Sequence, residues 1–268
     1  MITGVAVVLA FLISALLTYR ICDPTSRLHV LDHPNERSLH TKPTPRTGGL
    51  AILAGVLTSS VLLALWSGTK HFMPWIGLSV AIMAVLSFTD DRLGLSVRVR
   101  LLGHLACAGI LVASGLVLPF VSLPGMTWEW PAWFGISFSM LFLIWMTNLY
   151  NFMDGMDGFA GGMAVIGFST FAVLGGMSGN GLFMGLSLII AASAGGFLLF
   201  NFPPARLFMG DVGSSVLGLL AAVFTLWGAR DGIFPLWVGA IVFSPFIIDA
   251  TITLIRRLLR GDKVWAAH

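Results

Sequence analysis

The residues best suited to chemistry in this chain are acids and amides gathered in short clusters. Asp90 and Asp91 stand side by side, followed by Arg92. Adjacent carboxylates can hold a hard cation or share a proton. The plain alternative is a solvated helix end, but the helix macrodipole disfavours acid near a C-terminus, so the pair sits there at some cost. The second cluster runs from Asn148 to Gly158 and reads Asn-Leu-Tyr-Asn-Phe-Met-Asp-Gly-Met-Asp-Gly. Its Asn148, Asn151, Asp154 and Asp157 recur every third residue, which in a helix or 3₁₀ turn sets four oxygen-bearing side chains near one face. Gly155 and Gly158 admit a tight turn or the close approach of a ligand. A calcium loop would instead alternate ligands every second residue and end in glutamate. The third cluster, Phe208 to Ser215, is a glycine-bounded turn opening a helix. Amides at a helix N-terminus favour phosphate, whereas Asp211 would repel it unless a metal bridged the two. An N-cap is the structural alternative for Asp211. The chain has no P-loop signature, so ordinary ATPase chemistry is unsupported.

A fourth segment is basic. It runs Asp32, His33, Pro34, Asn35, Glu36, Arg37, Ser38, Leu39, His40, then Pro43, Pro45, Arg46, Gly48 and Gly49. Prolines keep it extended and the glycine pair ends it. Its arginines suit bidentate phosphate binding. A topology signal explains the charge but not the mixture of His, Asn and Arg. The other histidines show no zinc-ligand spacing, and Cys22 and Cys107 cannot form a disulfide framework.

The elements that must position these groups follow from composition. Of 268 residues, 57% are hydrophobic and 10% charged, with mean hydropathy +0.92. Soluble domains carry about a quarter charged residues. An ordinary globular enzyme, a disordered chain and a nucleic-acid binder are thereby excluded. A spanning helix needs about 20 mostly apolar residues. Nine stretches qualify: roughly 1–19, 49–67, 74–89, 101–120, 133–150, 159–176, 181–200, 214–229 and 234–255. Lipid admits only helices at this length, so the expectation is one all-α polytopic membrane bundle. Arg20 follows the first apolar run and no basic residue precedes it, so that run is expected to be a retained helix with its N-terminus outside. Thirteen of the 15 lysines and arginines then fall on one side, which the positive-inside rule places in the cytoplasm; Lys70 and Arg230 lie opposite. Trp66, Trp75, Trp128, Trp130, Trp133, Trp227 and Trp237 flank the outer loops, as in an interfacial belt. All three acid and amide clusters gather on the cytoplasmic side, where converging acids need a counter-ion and oxygen-rich groups suit Mg2+.

At these residues the chain resembles the polyprenyl-phosphate N-acetylhexosamine-1-phosphate transferases. The resemblance rests on the Asp32–Gly49 segment, Asp90-Asp91, Asn148–Gly158 and Phe208–Ser214, in the family's order and on its face. The Asn-Leu-Tyr-Asn-Phe-Met-Asp-Gly wording looks most like the O-antigen-initiating branch. It implies Mg2+-dependent transfer of an N-acetylhexosamine-1-phosphate from a UDP-sugar, UDP-GlcNAc or a 6-deoxy relative, to undecaprenyl phosphate, with release of UMP. Mn2+ is the alternative metal. By the same resemblance Asn151 and Asp211 are expected to ligate the metal or bridge it to pyrophosphate. Asp90 would deprotonate or orient the acceptor phosphate, Asp91 would assist it or support the metal, and Asp154 and Asp157 would order the nucleotide side. Asn35, Arg37, His40, Arg46, Asn148 and Gly210 are the expected substrate contacts. Partners implied are the lipid phosphate, the UDP-sugar and membrane lipid, in a bacterial inner membrane with the site facing the cytoplasm; a homodimer fits the family as well. Family members carry a histidine-containing loop after the ninth helix and then one or more further helices. Here the chain stops at His268, which matches the first histidine of that motif and is counted as a catalytic candidate. The expectation is a single domain over 1–268, incomplete at its C-terminus.

Two other readings compete. A transporter or flippase would place its charges near the bilayer midplane in repeated halves, and only Asp249 offers support for that. An inactive truncated homologue is the other.

Overall fold

The computed structural model describes residues 2–23, 26, 30–32, 43–67, 71 and 73–261. The chain forms the helices α1 (Ile2–Ile21), α2 (Gly48–Ser67), α3 (Met73–Leu93), α4 (Val97–Ala113), α5 (Ala132–Met153), α6 (Phe159–Met177), α7 (Gly181–Asn201), α8 (Gly210–Arg230), α9 (Leu236–Val242) and α10 (Ser244–Arg260). Two short antiparallel ribbons accompany them. The first pairs β1 (Leu31–Asp32) with β2 (Thr44–Pro45), and the second pairs β3 (Phe120–Leu123) with β4 (Met126–Glu129). The protein is thus an all-α, multi-pass membrane bundle.

Close packing comes from small residues. Ala6, Ala10, Ser14 and Thr18 recur every fourth residue of α1 and are buried, where α1 meets α2 and α7. Without a hydrophobic driving force in lipid, such stripes let backbones approach and gain dispersion contacts. Helix α8 packs against α2, α3 and α5 and is buried along its whole apolar length. Large apolar side chains such as Leu16, Leu65, Val85, Leu102, Leu141 and Ile166 remain exposed on the bundle's flank, as lipid-facing positions must.

The nine expected spans need correction. Among the described residues, seven helices are long and apolar enough to cross a membrane: α1, α2, α3, α5, α6, α7 and α8. An eighth crossing counts only if α9 and α10, bent by 76°, act together. The ninth apolar stretch breaks at Phe243 because Ser244-Pro245 begins a new helix, and proline suits a first turn but not a helix interior. The fourth stretch is displaced and shortened. Helix α4 starts at Val97, where the Ser96 hydroxyl accepts from the Val99 N–H, and its 17 residues reach only about 25 Å. Gly115, at φ +94°, and Pro119 then turn the chain into the β3–β4 hairpin, which apolarity alone did not reveal. Trp66, Trp75, Trp128, Trp133 and Trp237 are exposed, whereas Trp227 is wholly buried against Phe183 and Phe224 and is no member of a belt.

Candidate functional site at one end of the bundle

The acid clusters sit at helix ends that the backbone stitches together. Pro45 accepts a hydrogen bond from the Phe208 N–H (2.7 Å), and the Gly48 and Gly49 N–H groups donate to Phe208 and Met209 carbonyls at 3.0 and 2.8 Å. The start of α2 is thereby bonded to the start of α8. Arg46 N–H donates to the Val30 carbonyl (2.9 Å), which ties in the β1–β2 ribbon. Gly210 has φ +71°, and a Cβ there would meet the Arg46 carbonyl carbon and Asp91 Oδ2, each at 3.1 Å. Glycine is therefore required by a close approach, whatever its part toward a substrate.

Within this frame, α3 ends with Asp90 and Asp91 pointing to different partners. Asp90 Oδ1 accepts the Leu95 N–H at 2.6 Å, and its Oδ2 pairs with Arg100 Nη1 at 3.2 Å. Its carboxylate also lies close to the Asp211 carboxylate, and both line the same cleft. Asp91 is buried. Its Oδ2 accepts the Val212 N–H at 3.4 Å, its Oδ1 lies 3.7 Å from Arg46 Nε, and the Arg46 guanidinium also donates to the Asp91 carbonyl. Arg46, read from sequence as a substrate contact, is thus engaged with Asp91.

Helix α5 brings Asn148 and Asn151, and ends at Met153. The expected single face of four oxygen side chains therefore stops after two. Asn151 Nδ2 donates to Asp211 Oδ1 at 2.9 Å and to Ser214 Oγ at 3.0 Å, joining α5 to the first turn of α8. Asp154 is the residue that ends α5. Dense surroundings and the nearby Asp211 and Asp91 charges push its carboxyl up to about 7, although part of its surface stays accessible. Asp157 is exposed and turns to the other loop, where its Oδ2 accepts the Ala205 N–H at 2.9 Å. Here the structure corrects the one-face expectation: once the helix ends, a three-residue repeat no longer shares a side.

Asp90, Asn148, Asn151 and Asp211 line one open cleft of ≈ 310 Å³ with Leu86, Ser87, Arg100, His104 and Ser215. Asp91, Asp154 and Gly210 stand behind or beside it. Asn35, Arg37, His40 and His268 lie outside the described residues. Asp249, the residue that favoured a transporter, is exposed on α10, not inside the bundle. Sequence reading missed three contributors. Arg100 enters the sequence reading only as one of the basic residues on one side, and His104 only as a histidine without zinc-ligand spacing, although their four-residue spacing on a helix puts both on one face. Asn201 was not considered; its Oδ1 accepts the Gly158 N–H and its Nδ2 donates to the Leu207 carbonyl, both at 3.0 Å, so one amide braces two site loops.

Does a divalent cation fit? Among the described residues no three His, Cys, Asp or Glu side chains form a ready-made metal cage. Magnesium does not require one, since it is usually held by one or two carboxylates, substrate phosphates and water. The donors present are hard oxygens, and like charges meet: Asp90 approaches Asp211, while Asp91 and Asp154 add field from behind. The chemistry of the donor set fits Mg2+, with the carboxylates of Asp211 and Asp90 as the groups that would hold it; Asn151, expected as a ligand, meets Asp211 with its NH2 group and not its oxygen.

Fold and site together define a multi-pass membrane protein with a cleft lined by acids and amides at one end of its bundle. The family model for glycosyl transferase family 4 matches residues 73–229. The chain is 36% identical, over 98% of its length and 75% of the relative's, to a probable undecaprenyl-phosphate N-acetylglucosaminyl 1-phosphate transferase of Bacillus subtilis. It is 33% identical, over 90% of its length and 68% of the relative's, to a decaprenyl-phosphate N-acetylglucosaminephosphotransferase of Mycobacterium leprae. A phospho-N-acetylmuramoyl-pentapeptide-transferase of Lacticaseibacillus paracasei is 29% identical over 70% of this chain and 62% of its own. This chain belongs to glycosyl transferase family 4. The matched region contains α3, α5 and nearly all of α8, so it spans every element that contributes an acid or amide to the cleft.

Proposed function

We propose that this protein is a phosphotransferase that moves N-acetylglucosamine-1-phosphate, or a close N-acetylhexosamine-1-phosphate, from a UDP-linked donor to undecaprenyl phosphate. The undecaprenyl- and decaprenyl-phosphate N-acetylglucosamine phosphotransferases among its relatives support the polyprenyl-phosphate acceptor and the sugar phosphate. The observation that carries the reading is the convergence of Asp90, Asn151 and Asp211 from three separate helices on one cleft at a bundle end. An oxygen of the lipid phosphate attacks the phosphorus that bears the sugar. A new P–O bond forms, the bond to the bridging oxygen breaks, and UMP leaves with that oxygen. A phosphate monoester is already largely ionised near pH 7, so Asp90 orients the acceptor and needs little strength as a base. Both substrates are anions, and Arg100 beside Asp90 offers the cation within the described site. A magnesium ion near Asp211 would neutralise phosphate charge. The positive-inside bias supports a cytoplasmic position for this end, where a soluble nucleotide sugar and an embedded lipid phosphate can meet. Initiation of O-antigen or another envelope glycan is the finer form of the same proposal.

The test is reconstitution of the chain in proteoliposomes with undecaprenyl phosphate, a panel of UDP-N-acetyl sugars, and Mg2+ or EDTA. Metal-dependent UMP release with formation of a lipid-linked pyrophosphoryl sugar is expected. Asp90→Asn and Asp211→Asn should each abolish transfer while the protein still elutes as a folded species. Near-normal turnover in both variants, or solute uptake without UMP, would overturn the reading.

A further inference from the structure

We infer that His104 is a catalytic residue for this transfer: as a neutral imidazole it holds the Asn148 amide through Nδ1 and offers an Nε2–H to the substrate in the cleft. The inference rests on the proposed transfer reaction for its catalytic part, and on geometry alone for its protonation part.

Asn148 Nδ2 lies 2.7 Å from the Ile144 carbonyl oxygen, one helical turn earlier. An oxygen facing that oxygen would repel it, so the amide must present its NH2 group there. The same nitrogen lies 3.1 Å from His104 Nδ1. An amide nitrogen has only N–H bonds to offer, so Nδ1 must accept with its lone pair. A neutral imidazole that accepts at Nδ1 carries its proton on Nε2. An imidazolium would set N–H against N–H and break the contact. The helix backbone thus fixes the amide, the amide fixes the tautomer, and the tautomer decides which hydrogen-bonding group the ring presents.

The location gives that group a use. His104 is 7% exposed and borders the cleft together with Asp90, Arg100, Asn151 and Asp211. Arg100 stands one turn earlier on α4 and pairs with Asp90. A purely structural histidine would sit equally well among apolar neighbours; this one spans from the expected substrate contact Asn148 to the acids of the reaction centre. A neutral N–H donor suits the bridging oxygen, on which charge grows as UMP leaves, because it adds no fixed positive charge to compete with the cation site.

Two measurements on the whole chain test this. First, nitrogen-15 NMR of histidine-labelled protein in micelles, with the His104 signals assigned by their loss in His104→Gln, should show a neutral ring protonated at Nε2. A ring protonated at Nδ1, or an imidazolium near pH 7, overturns the inference whatever the protein catalyses. Second, in the proteoliposome assay His104→Leu should lower kcat about 10²-fold with little change in donor KM, the loss expected for one transition-state donor. His104→Gln, which keeps an acceptor and a donor, should recover to within about tenfold of wild type. A His104→Leu variant with wild-type kcat, or a Gln variant no better than Leu, refutes the role. If wild-type protein transfers nothing, the proposed reaction has failed, and the NMR result alone then decides the tautomer.

Discussion

Gly49→Ala is the substitution that most directly tests how the site is assembled. Gly49 on α2 faces Gly213 on α8 so closely that a Cβ at Gly49 would overlap the Gly213 backbone and stand 3.0 Å from the Met209 carbonyl oxygen. The reverse also holds: a Cβ at Gly213 would lie 2.8 Å from the Gly49 Cα. The atoms in the way are backbone, so no rotamer change relieves the contact. The two helix starts must separate, by about 1 Å to reach ordinary packing distance, and the Gly49 and Gly48 hydrogen bonds to Met209 and Phe208 stretch or break. Overpacking costs about 1–3 kcal/mol. Leaving a buried backbone group unpaired adds about 1–3 kcal/mol. The sum is roughly 2–6 kcal/mol, or about 10 °C in Tm. Gly109 on α4 is the internal control, since nothing lies within 4 Å of its added Cβ. There alanine should be neutral or stabilise by about 0.5–1 kcal/mol through helix propensity. Thermal unfolding in micelles, followed by circular dichroism and by size exclusion after heating, compares the two. A Gly49→Ala protein that melts with the Gly109→Ala control would mean the α2–α8 seam does not hold the site as described.

Three further outcomes are expected. Arg46→Met should leave Asp91 without its cation; at 3.7 Å and an effective dielectric of about 20 the pair is worth about 4.5 kcal/mol, reduced to about 2–3 because Arg46 is 35% exposed. Adding Asp91→Asn to that variant should recover part of the lost Tm, and strict additivity would refute the coupling. Burial, with the Asp211 and Asp91 charges, pushes the Asp154 carboxyl from the ordinary 3.8 up to about 7, so the folded state binds the extra proton. Metal-free protein should be most stable below that window and lose stability as pH rises through 7; Asp154→Asn should flatten the slope of Tm against pH, and an unchanged slope would count against the buried acid. A cysteine at Ser38 should be protected from membrane-impermeant reagent in intact cells while one at Thr69 is labelled, and the opposite pattern would invert the sidedness.

Much of this protein is legible in its sequence because lipid leaves the chain few choices. Apolar runs near 20 residues must become helices, since no water can satisfy a spanning backbone otherwise. Eight of the expected stretches correspond to α1 through α8, and the acid and amide clusters fall at helix ends on one side. The errors arise where a local rule meets a break. Pro245 splits a run that hydropathy reads as continuous, and the hairpin after α4 hides within apolar residues. The three-residue spacing of Asn148 to Asp157 assumes a helix that persists, and it ends at Met153.

Sequence by itself determined the class of the molecule, the side on which its charges lie and the chemical type of its donors, because each follows from composition and order along the chain. Only tertiary structure decided which donors meet. Asp90 and Asp91 are neighbours in sequence, yet one opens onto the cleft with Arg100 and the other is buried with Arg46 and the Val212 amide. Successive side chains on a helix point about 100° apart, so adjacency separates them, whereas the packing of α3, α4, α5 and α8 brings together Asp90, His104, Asn151 and Asp211 from distant positions.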